Sequence, residues 1–201
     1  MAVLFFSLCF LAAGAVALWI ASFRIPDLTS LSERRVSEST KIYDRTGTVL
    51  LYDLHRGVKR RVVAFGDISD YVKKAAVALE DAQFYEHKGI EPKAILRAIL
   101  ANLSSRSFGQ GGSTITQQVV KNSLLTGEKK ISRKLKEWVL ALKLEKVLTK
   151  DEILTLYLNE APYGGNIYGI EEASRAYFNK PSQELTLAEA AYLAALPYAP
   201  T

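Results

Sequence analysis

Glu80, Asp81, Glu86 and His87 crowd into one short stretch, Leu79-Glu80-Asp81-Ala82-Gln83-Phe84-Tyr85-Glu86-His87-Lys88-Gly89, between an apolar helical run and a glycine. Carboxylates and imidazoles are side chains able to move protons. Burying each one costs several kcal/mol unless it is paired, so the stretch is not simple core filler. A solvated turn carries the same residues at little cost. Partners elsewhere in the chain decide between the two.

Three further stretches offer such partners. Gln110-Gly111-Gly112-Ser113-Thr114-Ile115-Thr116-Gln117-Gln118-Val119-Val120-Lys121-Asn122 runs glycines directly into a helix whose first residues are hydroxylic. The free N–H groups and dipole of a helix start favour an anion, and glycines let the backbone approach it. Ser113 and Thr114 add hydroxyl donors, and Gln118, Lys121 and Asn122 share a face. A plain capping box of Thr114 and Gln117 accounts for the same helix start. Lys129-Lys130-Ile131-Ser132-Arg133-Lys134-Leu135-Lys136-Glu137-Trp138 places five cations at a helix beginning, against the dipole preference. An anion nearby explains that, as does a solvated basic face. Glu137 stands one turn after Arg133 and Lys134, where an exposed pair is worth only a few tenths of a kcal/mol. In Lys150-Asp151-Glu152-Ile153-Leu154-Thr155-Leu156-Tyr157-Leu158-Asn159-Glu160, Ile153, Leu156 and Tyr157 form an apolar core stripe, and Asn159 reads as structural.

Helices must position these groups. The periodicity predicts them over Tyr71–Ala82, Pro92–Leu103, Thr114–Leu125, Ser132–Leu148, Lys150–Asn159, Ile170–Phe178 and Leu187–Leu196, with a Ser/Gly loop over 105–112. Capping boxes mark two starts, Thr149 with Glu152 and Thr186 with Glu189. Ahead of them, Lys41 to Tyr52 reads as a hairpin about an Asp-Arg-Thr-Gly turn, and Arg60–Phe65 as a further strand. His55 falls in a loop. The fold class is mainly α with a short β element.

With 201 residues, 49% hydrophobic and 23% charged, the chain can bury one ordinary core and carry an appendage. Residues 2–23 hold no charge and are long enough to cross a bilayer, which takes about 20 apolar residues. A signal peptide would have a positive leader and a shorter apolar core, so 2–23 is expected to be an uncleaved transmembrane anchor. Residues 24–40 then form a juxtamembrane linker, and 41–201 the tethered domain. Arg24, Arg34 and Arg35 follow the anchor, which by the positive-inside rule alone puts the domain in the cytoplasm. The net charge of +5 points to an anionic partner, whether lipid headgroup, phosphate or nucleic acid. Cys9 is the single cysteine, which excludes an intramolecular disulfide and a Cys-based metal site.

Together and in this order, Glu80-Asp81-x-x-Phe84-x-x-His87-x-Gly89, Gly112-Ser113-Thr114-Ile115-Thr116-Gln117-Gln118-x-x-Lys121-Asn122, Arg133-Lys134-x-x-Glu137 and Ile153-Leu154-x-x-Tyr157-Leu158-Asn159 resemble the peptidoglycan glycosyltransferases of family 51. These occur as monofunctional enzymes and as the N-terminal module of class A penicillin-binding proteins. The resemblance implies a lysozyme-like helical lobe, a small membrane-proximal jaw and one preceding transmembrane helix, with the domain outside the bacterial cytoplasmic membrane. That orientation overrides the charge rule. It also implies lipid II as substrate and β-1,4 glycan strands as product, made by inverting displacement of polyprenyl pyrophosphate. By resemblance Glu80 is the general base and Glu137 the second catalytic glutamate, on the leaving-group side. Lys121, Arg133 and Lys134 then neutralise pyrophosphate, and Ser113, Thr114, Gln118 and Asn122 hold phosphate and sugar. Asp81, Phe84 and His87 complete the substrate site around Glu80. Mg²⁺ or Mn²⁺ is expected only through the substrate pyrophosphate, with no protein metal site and no nucleic-acid partner. Membrane, growing glycan and cell-wall synthesis machinery are the implied partners. The family's fifth, Arg-rich motif is expected beyond Thr201, so the chain reads as truncated. A membrane-bound lytic enzyme and a non-enzymatic basic lipid-binding module are the competing readings.

Overall fold

A computed structural model describes residues 40–54, 58–97, 112–125 and 131–197, together with Phe6, Ser7, Phe10, Leu11, Gly14 and Leu18. Most of the expected anchor and linker, His55 and the 105–111 loop lie outside the described residues. No helix among the described residues is long and apolar enough to cross a membrane.

The described chain is mainly helical. Strands β1 (Thr40–Tyr43) and β2 (Leu50–Leu54) form the expected antiparallel hairpin. Its turn is held by Asp44, whose carboxylate accepts from Thr46 Oγ1 at 2.6 Å and from the Val49 N–H at 3.1 Å. Six helices follow: α1 (Asp70–Glu80), α2 (Ile115–Leu124), α3 (Ile131–Val147), α4 (Lys150–Glu160), α5 (Ile170–Phe178) and α6 (Leu187–Ala195). Residues 92–97 are also helical.

Helical spacing builds the core. Val72 and Ala76 of α1, Ile115, Val119 and Val120 of α2, and Leu140, Ala141 and Leu144 of α3 are buried, as are Ile153, Leu154 and Leu158 of α4. Burying each larger apolar side chain contributes about 1.5–3 kcal/mol. Helix α2 lies against both α3 and α4, while α1 packs on α6.

The strand expected over Arg60–Phe65 is cut short. Only Lys59–Arg60, β3, pairs, running parallel to β4 (Ile167–Tyr168). The reason lies in Asn159, whose side chain takes both backbone groups of Val63, accepting from its N–H and donating to its C=O, each at 3.0 Å. Phe65–Asp67 then tighten into a 3₁₀ turn. Asn159 is structural, as its sequence position suggested.

Both expected capping boxes form. In the second, Glu189 accepts from the Thr186 N–H at 2.8 Å and from Lys180 Nζ at 2.6 Å. Lys180 and the Thr186 bonds hold its carboxyl down to about 2, from an ordinary 4.5. A depressed carboxylate stabilises the fold above its unfolded-state value, and the gain is lost as pH falls toward the folded value. The thermal-midpoint difference between wild type and Glu189→Gln is therefore expected to be largest near neutral pH. It should shrink between about pH 4.5 and about pH 2 in thermal melts.

Candidate active site

Helix α1 stops at Glu80 because Asp81 leaves the helix at φ −159° and sends its carboxylate elsewhere. Asp81 Oδ2 accepts the Ile115 N–H, at the first turn of α2, at 3.0 Å. The same carboxylate lies 2.8 Å from His87 Nε2. His87 Nδ1 accepts the Gly89 N–H at 3.0 Å, which assigns the ring proton to Nε2, facing Asp81. The loop closes through Thr114, whose hydroxyl donates to the Gly89 carbonyl at 2.7 Å. Gly89 is required here. Its φ is +90°, and a Cβ would sit 2.8 Å from the Ala141 carbonyl oxygen.

The protein thus supplies acceptors of its own at the start of α2. Asp81 takes one free N–H, and the Thr114 hydroxyl accepts another from Gln117 at 3.2 Å. Thr114, expected at the phosphate, has its only donor committed to Gly89. Its capping box with Gln117 is one-sided, since the Gln117 amide turns to the Gly89 carbonyl and Lys134. Phe84, also expected at the substrate, is 0% exposed and has no surface to offer one. It lies edge-on to Tyr85 and His87, under Lys150 Nζ at 4.5 Å from its ring centroid. Asp81 and Thr114 line the same cleft as Glu80, whereas Phe84 and His87 are not in its wall.

Glu80 sits on the other side of this tie, in the wall of a cleft of about 740 Å³. Its Oε2 accepts from the Gln118 amide at 2.6 Å. Its Oε1 is buried with no hydrogen-bond partner. Gly112, Ser113, Gln118 and Lys121 line the same cleft. Two buried phenols, Tyr157 and Tyr163, lie near Glu80. Both are pushed above the ordinary tyrosine range, by burial first and by the Glu80 charge second.

A second cluster adjoins through Ser113. Lys134 Nζ donates to Ser113 Oγ at 2.6 Å, to Glu137 Oε2 at 2.9 Å and to Gln117 Oε1 at 3.4 Å. Arg133 Nε lies 3.1 Å from Glu137 Oε1, near enough for an ion pair but without hydrogen-bond alignment. Glu137 is 1% exposed. It is a buried counter-ion that fixes two cations, and the cations behind Ser113 are explained by it in part. Arg133, Lys134 and Glu137 are not in the described cleft wall, and neither is the exposed Asn122.

Sequence reasoning missed Glu91, Lys93 and Arg97, which also line the cleft. The signal was present, since Lys93 and Arg97 stand i, i+4 on one helical face. It was also missed that the Tyr157 hydroxyl turns toward Glu80, because an aromatic in an apolar stripe reads as core.

The transglycosylase family matches residues 47–201, and the chain belongs to that family. The site just described therefore sits in a glycosyltransferase module of the kind found in peptidoglycan synthesis. The chain is 45% identical to penicillin-binding protein 1A of Clostridium perfringens over 180 residues, covering 88% of this chain and 26% of that protein. It is 40% identical over 200 residues to penicillin-binding protein 1A of Neisseria lactamica, covering 98% of this chain and 25% of the relative. The Neisseria gonorrhoeae protein of the same name matches to the same extent. The chain spans about a quarter of the length of these relatives.

Asp81→Ala leaves two buried donors without an acceptor, each costing about 1–3 kcal/mol. Urea denaturation is expected to show an unfolding free energy lower by that scale, with lost activity even where the protein remains folded.

Proposed function

We propose that this chain polymerises lipid II into β-1,4 glycan strands, with Glu80 as general base. The observation that carries the reading is a carboxylate held in a cleft whose walls also bear Lys93, Arg97 and Lys121. The acceptor's 4-hydroxyl oxygen attacks the donor's anomeric carbon from the face opposite the pyrophosphate. The new C–O bond forms as the bond to pyrophosphate breaks. The hydroxyl proton passes to Glu80, and polyprenyl pyrophosphate leaves with the electron pair, so α linkage becomes β. Glu80 Oε1 is buried, which makes Oε2, beside the Gln118 amide, the oxygen on the cleft side.

Donor and acceptor each carry a pyrophosphate, so the reaction needs cations in two places. Lys121 and Ser113, backed by Lys134, suit one, and Lys93 with Arg97 suit the other. A neutral glycan, the substrate of a lytic enzyme, has no use for either. Glu137 contributes by holding Arg133 and Lys134 in position, which narrows its expected catalytic part to positioning. Asn122 keeps its proposed part in holding substrate at the rim of the site.

Mg²⁺ or Mn²⁺ fits this scheme as a cation on the substrate's own phosphate oxygens, where it would neutralise charge. The described residues gather no group of three His, Cys, Asp or Glu side chains. The remaining parts of the proposal are a lysozyme-like lobe with a membrane-proximal jaw and a single-pass anchor over 2–23. The domain then lies outside the bacterial cytoplasmic membrane, among the cell-wall synthesis machinery.

Incubation with lipid II is expected to yield a lysozyme-sensitive polymer. Glu80→Gln should lower its rate by about 10²–10⁴-fold while lipid II binding persists. Release of muropeptides from sacculi without polymer, or full activity in Glu80→Gln, contradicts the reading.

A further inference from the structure

We propose that Tyr157 is a positioning residue for Glu80, its hydroxyl holding the buried carboxylate oxygen Oε1 while Gln118 holds Oε2. The inference rests on Glu80 being the base.

Two unmet groups meet here. Glu80 Oε1 is a buried acceptor without a hydrogen-bond partner, and the Tyr157 hydroxyl is a buried donor without one. Buried polar atoms are satisfied in the great majority of cases, so each such pair of exceptions calls for a reason. The hydroxyl lies against the Glu80 carboxylate, close enough to interact with it yet outside a formed hydrogen bond. Catalytic hydrogen bonds are often long before substrate binds and tighten in the complex.

The surroundings restrict what Tyr157 can do. It is 3% exposed and belongs to α4, which packs against α2, the helix that carries Gln118. Burial keeps the phenol protonated, so it is a donor and not a base. Tyr163 is buried in the same neighbourhood, but its phenol feels the Glu80 charge without hydrogen-bonding to it. Tyr157 therefore grips the carboxylate from the protein side and Gln118 from the cleft side. Two holds fix the carboxylate plane, so that the Oε2 lone pair faces the acceptor hydroxyl.

The test is a cycle on the purified chain polymerising lipid II, with Tyr157→Phe made in wild type and in Glu80→Asp. The shortened Asp carboxylate loses the hold that the phenol provides. In wild type, Tyr157→Phe is expected to lower kcat about tenfold or more while KM stays within about twofold. In Glu80→Asp the same change should cost nothing further. An equal loss in both backgrounds, a raised KM in place of a lowered kcat, or an unchanged kcat overturns the proposal. The comparison between backgrounds holds when rates are normalised to folded protein, so a stability loss in Tyr157→Phe does not mask the result. Glu80→Gln run alongside separates the two claims. If it retains polymerisation, the base assignment fails; if it is inactive while Tyr157→Phe is neutral, only the positioning role fails.

Discussion

The Asp81 carboxylate ties three parts of the chain to one another. It ends α1, accepts the first-turn N–H of α2 and faces His87 in the intervening turn. An isolated buried carboxylate would cost several kcal/mol, and this pairing offsets that cost. The dipole at the start of α2 adds to that pairing. His87 passes the constraint on to Gly89 through its second ring nitrogen, and the Gly89 carbonyl returns it to Thr114. Each donor in this circuit has an acceptor. Removing one member leaves others buried and unmet.

The consequence for chemistry is positional. Glu80 precedes Asp81 and shares its backbone constraint, but its carboxylate turns to the cleft and meets Gln118 of the same helix α2. One helix thus meets the Asp81 carboxylate at Ile115 and the Glu80 carboxylate at Gln118. The cationic side is built the same way. Glu137 is buried between Arg133 and Lys134, and Lys134 reaches Ser113 at the glycine-led entry to α2. Acidic and basic halves of the site are therefore both referenced to α2. A displacement of that helix would disturb both together.

Much of this was legible in sequence where one residue's neighbours in the chain decide its fate. Both capping boxes, the Asp44 turn and the span Ile170–Phe178 followed from local periodicity and side-chain reach. The failures came where a distant group supplied the deciding partner. Arg60–Phe65 has strand composition, yet Asn159, far along the chain, takes the backbone bonds of Val63. The Gly-Gly-Ser-Thr helix start pointed to a bound anion, and the Asp81 carboxylate accepts one of its N–H groups. Phe84 sits inside a motif stretch that resembles a substrate site, yet it is 0% exposed, whereas Thr114 keeps a place in the cleft wall. No local pattern distinguishes a tyrosine that only packs from one whose hydroxyl meets a carboxylate on another helix.

The central claim, that a neutral His87 relays between Asp81 and Gly89, is tested most directly by ¹⁵N NMR of histidine-labelled protein. The chain has two histidines, His55 and His87, so a His55→Gln variant assigns the signals. At neutral pH the account predicts a His87 ring protonated at Nε2, with Nδ1 carrying the shift of a bare acceptor. A ring protonated at Nδ1, or at both nitrogens, would contradict it.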